Sequence, residues 1–211
     1  MSVTMNDGEI KAPIIGILRH RLATDGKGVT TLVGFYGCPL RCRYCLNPHS
    51  FAEDTKCLTL TPEELYERVK IDQLYFLASG GGVTFGGGEP LLYPDFLRRF
   101  RELCGEHWRL CGETSLSVPR ESVLMAAEVM DEFIIDCKDT DPDIYRRYTG
   151  RENRVMLDNL EALLARVPPE RVVLRLPLIP GFNDETRREK SREKLAAMGV
   201  TRFDCFSYII K

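Results

Sequence analysis

"VTTLVGFYGCPLRCRYCLNPHSF", residues 29–51, starts as a β-branched, apolar run and ends in three cysteines at C-x3-C-x2-C. A short apolar run closed by glycine reads as a buried strand. It delivers Cys38, Cys42 and Cys45 into a loop directly past its C-terminal end. A closed structural zinc site or a fully ligated iron–sulfur cube takes four protein ligands, and the loop supplies three cysteines. Either His49 completes a Cys3His set, or one coordination position stays open.

Outward from this loop, short apolar runs alternate with longer helical patterns. "TPEELYERVKIDQLYFLAS" (61–79) reads as a helix, with Thr61 as N-cap, Pro62 in the first turn and Glu64 completing a capping box. "GVTF" (82–85) is a second strand that runs into "GGGEP", followed by a helix over 93–108. Strands follow at "RLCGETS" (109–115) and "EFIIDCK" (132–138), separated by a helix at "PRESVLMAAEVMD". Leu157, Leu160, Leu164 and Val167 form the stripe of an amphipathic helix. "RVVLRLPLIPG" (171–181) is a fifth strand, a charged helix over 183–199 ends near Gly199, and "RFDCFSYII" (202–210) is a sixth.

Six such alternations argue for an α/β fold with a parallel sheet. A complete eight-fold barrel takes about 250 residues, so an open, partial (β/α)6 TIM-like barrel is expected, with residues 1–211 as one domain. The polar and glycine-bearing features gather where strands end: the cysteine loop, "GGGEP", Glu113–Thr114, Asp136–Lys138 and Arg175. In open parallel sheets and barrels, ligands bind at that C-terminal edge.

Composition narrows the class. The chain has 211 residues, 44% hydrophobic, 28% charged, and a net charge of -2 that gives no sign of a nucleic-acid partner. "MSVTMNDGEIKAPIIG" holds no apolar run long enough for a signal peptide or a membrane span, so a cytoplasmic location is expected. Eight cysteines in a reducing compartment read as ligands, catalytic groups or small core residues rather than disulfides. Cys57, Cys104, Cys111, Cys137 and Cys205 are scattered and read as packing. His20, His49 and His107 show no catalytic setting and read as surface or packing residues.

Three cysteines on a four-iron cube leave one iron open to an amine and carboxylate at five-membered-ring spacing, as in an amino acid. "CPLRCRYC" with "GGGEP" one strand later resembles the radical S-adenosylmethionine superfamily, and within it the glycyl-radical-enzyme activating enzymes of the pyruvate formate-lyase type. "DGKG" (25–28), "CRYCLNP", "SGGGVTFGGGEP", "IIDCK", "YTGRENRVMLDNLEALL" and "RLPLIPGFND" are similar to successive segments of that family.

The resemblance implies that Cys38, Cys42 and Cys45 bind a [4Fe–4S] cluster in an anaerobic oxidoreductase. Tyr44 would lie against the adenine of S-adenosylmethionine. Gly87, Gly88 and Glu89 would bind the methionine amino group, Asp136 and Lys138 the ribose or nearby polar groups, and Arg175 the carboxylate. Glu113 and Thr114 stand where the family holds a monovalent cation, with Glu in place of Asp. The reaction implied is reductive cleavage to a 5′-deoxyadenosyl radical that takes hydrogen from a glycine of a partner enzyme, with no acid–base residue of this chain required. A glycyl radical enzyme is the implied partner, a flavodoxin- or ferredoxin-like protein the electron donor, and a monomer is expected.

The chain departs from the family in two places. Thr30 stands where an arginine usually follows "DGxG", and "SYII" replaces a later segment with a histidine. Two alternatives stand beside this reading: a small-molecule radical enzyme resembling 7-carboxy-7-deazaguanine synthase, and a non-catalytic Cys3His module using His49.

Overall fold

The computed structural model describes residues 9–22 and 25–208. Strands β1 (Ala12–Leu22), β2 (Val29–Phe35), β3 (Leu58–Leu60), β4 (Gly82–Gly87), β5 (Arg109–Thr114), β6 (Glu132–Asp136), β7 (Val172–Leu178) and β8 (Arg202–Ser207) form one open sheet. Its order is β3-β1-β2-β4-β5-β6-β7-β8. From β2 to β8 every pairing is parallel, while β1 runs antiparallel to both of its neighbours. The six parallel strands expected are present, extended by β1 and β3, on which the sequence reading had placed no strand. β3 is three residues long, too short to show a period.

One face of the parallel strands is mostly apolar. Val33 and Phe35, Val83 and Phe85, Phe133 and Ile135, and Leu174 and Leu176 are buried against helices. Phe85 meets Phe35 at 5.8 Å and Phe100 at 5.3 Å between ring centroids, both edge to face, an arrangement that aromatic quadrupoles favour. The opposite side carries Gly34, Gly86, Glu113, Asp136, Arg175 and Asp204, with Ile134 and Val173 among them. Helices cover parallel sheets on both faces when both are apolar. Here one face carries most of the charged and glycine positions, and it is the face that carries the site.

Helices α1 (Pro62–Val69), α2 (Gln73–Ser79), α3 (Pro94–Cys104), α4 (Arg120–Val129), α5 (Pro142–Thr149), α6 (Arg154–Leu164) and α7 (Glu185–Ala197) join the strands. The capping box of α1 forms as expected: Thr61 Oγ1 accepts from Glu64 N at 3.1 Å, and Glu64 accepts from Thr61 N at 2.9 Å. The helix expected over 61–79 is broken at Lys70–Asp72 by a 3-10 turn. The reason is Asp72, which is fully buried and accepts from Arg19, from Thr31 Oγ1 at 2.9 Å and lies 3.1 Å from His20 Nε2. Arg19, the first cause, and Thr31 hold its carboxyl below the usual range, against the effect of burial. One buried carboxylate therefore ties the first crossover to β1 and β2.

Helix α5 was not anticipated, although its signals are local. The Asp141 side chain accepts from the amides of Asp143 and Ile144, Pro142 opens the first turn, and Gly150 closes it at φ +75°. Gly199, at φ +102°, follows α7 as read from sequence.

Candidate active site

The cysteine loop is held by backbone hydrogen bonds from three directions. Gly37 N donates to Ser50 O at 2.6 Å, closing the loop on itself. Arg41 N and Arg43 N donate to Thr149 O and Tyr148 O at 2.8 and 3.0 Å, so the last carbonyls of α5 bind the loop between its cysteines. Helix C-termini leave such carbonyls without intrahelical partners, which makes them available. Arg151 Nε donates to Pro39 O at 3.1 Å, and Arg41 Nη1 to Cys38 O at 2.6 Å.

The glycine segment locks onto the other side. Gly88 N donates to Phe35 O at 2.9 Å and Glu89 N to Gly37 O at 2.7 Å. A Cβ on Gly87, which sits at φ +82°, would stand 2.7 Å from Gly34 Cα. A Cβ on Gly88 would overlap the carbonyl oxygen of Gly37. Glycine is required at both because the ends of β2 and β4 meet backbone to backbone.

Cys38, Cys42, Cys45, Gly87, Gly88, Glu89, Glu113, Thr114, Asp136, Lys138 and Arg175 all line one cavity at the C-terminal ends of the parallel strands. These eleven residues come from five separate segments, each on or directly after a strand of the same parallel set. Tyr44 is placed differently. It is half-buried in an aromatic group with Tyr148 and Phe182, at centroid distances of 6.1 and 6.0 Å, outside the lining of that cavity. His49 is not in that lining and instead lines a neighbouring cavity with Ile15, Leu18 and Leu32.

Glu89 is fully buried, and its carboxylate is occupied by protein donors. It accepts from Thr114 Oγ1 at 2.6 Å and from Ser115 N and Oγ at 2.8 and 2.7 Å. Burial pushes its carboxyl up, against the opposing pull of these hydrogen bonds. Glu113 pairs with Arg175 Nη1 at 2.9 Å, and Arg175 Nε lies 3.4 Å from Asp204 on β8. Burial pushes the Glu113 carboxyl up to about 7, against the lowering effect of Arg175. Lys138 pairs with Asp136 at 3.1 Å and donates to Tyr208 Oη at 3.2 Å. Burial works against the Lys138 charge, but Asp136, Tyr208 and Cys42 together hold its pKa well above the usual value.

Ser115, Asp204 and Tyr208 belong to this constellation and were missed by the sequence reading. Ser115 follows Glu113–Thr114 directly, but a serine at a strand end carries no signal of its own. Where the family's arginine gives way to Thr30, Arg21 lies opposite across the β1–β2 pair and holds Asp25 at 2.5 Å.

The donor set fits an iron–sulfur cluster and an amino-acid ligand. Among the described residues, no three His, Cys, Asp or Glu side chains gather closely enough to hold a single ion. Cys38, Cys42 and Cys45 instead line one cavity from a single loop, as three protein ligands of an iron–sulfur cluster would. Burial pushes the Cys38 thiol up to about 12 and the Cys42 thiol up to about 11. Such thiols ionise when a metal takes the proton's place. The wall beside them offers a shelf without side chains at Gly87–Gly88, the cations of Lys138 and Arg175 and the carboxylates of Glu89, Glu113 and Asp136, which matches a zwitterion.

The family described as the Radical SAM superfamily matches residues 32–192. The chain is 30% identical to the (2S)-3-sulfopropanediol dehydratase activating enzyme of Klebsiella oxytoca, over 76% of this chain and 69% of that protein. It is 33% identical to the pyruvate formate-lyase 2-activating enzyme of Escherichia coli K12, over 81% of this chain and 68% of that protein. A solved domain of a pyruvate-formate lyase-activating enzyme from Bacteroides vulgatus superposes with a TM-score of 0.53 at 30% identity, over 61% of this chain and 81% of that one.

Proposed function

The chain belongs to the radical SAM superfamily, as an enzyme homologous to glycyl-radical-enzyme activating enzymes, and on that premise we propose that it installs a glycyl radical on a partner enzyme. The superfamily uses a [4Fe–4S] cluster and S-adenosylmethionine, and when bound they supply reductive cleavage of the sulfonium and with it a hydrogen-atom abstractor. The observation that carries the reading is the common cavity: three thiols, the Gly87–Gly88 shelf and the Asp136, Lys138 and Arg175 side chains at one sheet edge.

Cys38, Cys42 and Cys45 would hold the cluster, each bound to one iron, leaving one iron for the amino acid end of the cofactor. The Gly87–Gly88 backbone would receive the methionine amino group, with Glu89 fixing that backbone through Thr114 and Ser115 rather than touching the ligand. Arg175 would meet the carboxylate, and Asp136 with Lys138 the ribose. The polar sheet face would keep these groups oriented and limit water around the reacting centre. The partner would be a glycyl radical enzyme, the electron donor a flavodoxin- or ferredoxin-like protein, and the enzyme a cytoplasmic monomer. Among the described residues no helix is long and apolar enough to cross a membrane.

The test is electron paramagnetic resonance on anaerobically reconstituted, reduced protein. A [4Fe–4S]+ signal whose shape changes on adding S-adenosylmethionine is expected, together with loss of iron in Cys38→Ala and full iron in His49→Ala. A glycyl radical should then appear on a co-incubated glycyl radical enzyme. A cluster indifferent to the cofactor, or zinc held through His49, refutes the proposal.

A further inference from the structure

Outside the site cavity, the cysteine loop and the end of α5 share a surface of arginines. Arg41 N and Arg43 N donate to the carbonyls of Thr149 and Tyr148, which brings the loop against the last turn of the helix. Arg41, Arg43, Arg146, Arg147 and Arg151 thereby come together, and all are exposed. Arg151 reaches back to Pro39 O at 3.1 Å. A depression of about 440 Å3 is walled by Pro39 of the loop together with Arg146, Arg151 and Val155, so loop and helix end form one continuous surface.

Most of this charge is not neutralised. Arg146 pairs with Asp143 at 2.6 Å and Glu152 at 3.2 Å. Arg41, Arg43, Arg147 and Arg151 pair with no carboxylate among the described residues. Arg41 lies over the Phe51 ring at 4.6 Å and Arg147 over the Phe182 ring at 5.4 Å, contacts that orient a guanidinium and keep its charge. Helix α7 is the contrast, since its Arg187, Arg188 and Arg192 each hold a carboxylate. The chain carries a net charge of -2, so the patch is a local positive field on an overall acidic protein. None of these arginines lines the site cavity.

We propose that this patch is the docking surface for a small acidic electron-carrier protein, which delivers its electron through the outer side of the cysteine loop. Arg41 and Arg43 flank Cys42, and consecutive Cα atoms lie about 3.8 Å apart, so a protein seated on them rests against a cluster ligand. The carrier gives up one electron, which takes [4Fe–4S]2+ to [4Fe–4S]+ with no proton or other group moved. A donor placed here leaves the site cavity free for the cofactor and for the glycine of the partner enzyme. Exposed cations facing an acidic surface speed the encounter more than they deepen affinity. The electron step rests on the cluster reading above, while the docking depends on charge alone.

The experiment follows reduction of the anaerobically reconstituted full chain by stopped flow, with a reduced acidic flavodoxin and then a reduced acidic ferredoxin as donor. Arg43→Gln combined with Arg147→Gln should lower the second-order rate constant about tenfold at low salt with at least one of the two. At about 1 M salt, where the screening length is roughly 3 Å, wild type and variant should coincide. Arg43→Lys with Arg147→Lys should keep the wild-type rate, and a photoreduced neutral deazaflavin should reduce every variant alike. Titration of the metal-free chain with the oxidised carrier should show binding about threefold weaker in the glutamine variant. Arg43→Gln alone serves if the double variant does not fold. Rates indifferent to charge and salt with both carriers, or a loss that the lysine variant does not restore, overturn the docking surface. Wild type that takes up no cluster refutes the cluster reading instead, and the metal-free titration then still decides the docking.

Discussion

Replacing Glu89 by Gln separates two roles for the Gly-Gly-Glu segment. If the carboxylate acts by holding the ends of β4 and β5 together, the loss appears in the protein without cofactor. Three short hydrogen bonds, from Thr114 Oγ1, Ser115 N and Ser115 Oγ, end on it. A bond to a charged acceptor contributes about 1 kcal/mol more than its neutral counterpart, so removing the charge costs roughly 3 kcal/mol over the three. Relief of burying a charge offsets this, since burial is the first cause acting on Glu89 and outweighs the bonds in raising its carboxyl. The loss that remains comes from the amide nitrogen of Gln, a donor set among the donors of Thr114 and Ser115; one buried donor left unpaired costs about 2 kcal/mol, or a fall in Tm of roughly 4–8 °C for a chain this size. Urea denaturation of the metal-free protein, with S-adenosylmethionine affinity measured separately, is the assay. Stability unchanged within about 0.5 kcal/mol, with affinity lost, would show that the carboxylate serves the ligand and refute the structural role.

Gly88→Ala should prevent the close approach to Gly37 and leave little folded protein able to take up iron; ordinary expression and iron loading would contradict the geometry. Glu113→Gln tests a pH effect. With a folded value of about 7 against the ordinary 4.5, Glu113 holds its proton more tightly in the fold, so its contribution is complete below about pH 4.5 and is lost as pH rises to 7. The stability of wild type relative to Glu113→Gln should therefore fall by roughly 3 kcal/mol across that window, and a flat difference in urea titrations would refute it. Thr61→Ala should cost about 1 kcal/mol in the same titrations by removing the cap of α1, and no loss would mean that packing alone starts that helix.

The residues that line the site cavity were legible in sequence because their signals are local: three cysteines in one loop and glycines where strands end. The α/β architecture was legible for the same reason, as apolar runs alternating with amphipathic ones. What lay hidden depends on partners distant in sequence. Asp72 breaks a helix that its neighbours favour because Arg19 and Thr31 wait on other strands. Glu89, read as a ligand-binding carboxylate, also accepts from Thr114 and Ser115, partners that its own segment does not reveal. Tyr44 has an aromatic neighbourhood assembled from residues 148 and 182, which no local pattern announces.

The grip of α5 on the cysteine loop has a consequence for the uptake of iron. Zinc fingers fold only as their metal arrives, because nothing else holds their ligands. Here Thr149 and Tyr148 carbonyls, and the Ser50 carbonyl, shape the loop with protein bonds alone. Four carbonyl contacts from two other segments thus draw the loop together independently of its thiols, so that substitutions in α5 should weaken iron uptake without touching a cysteine.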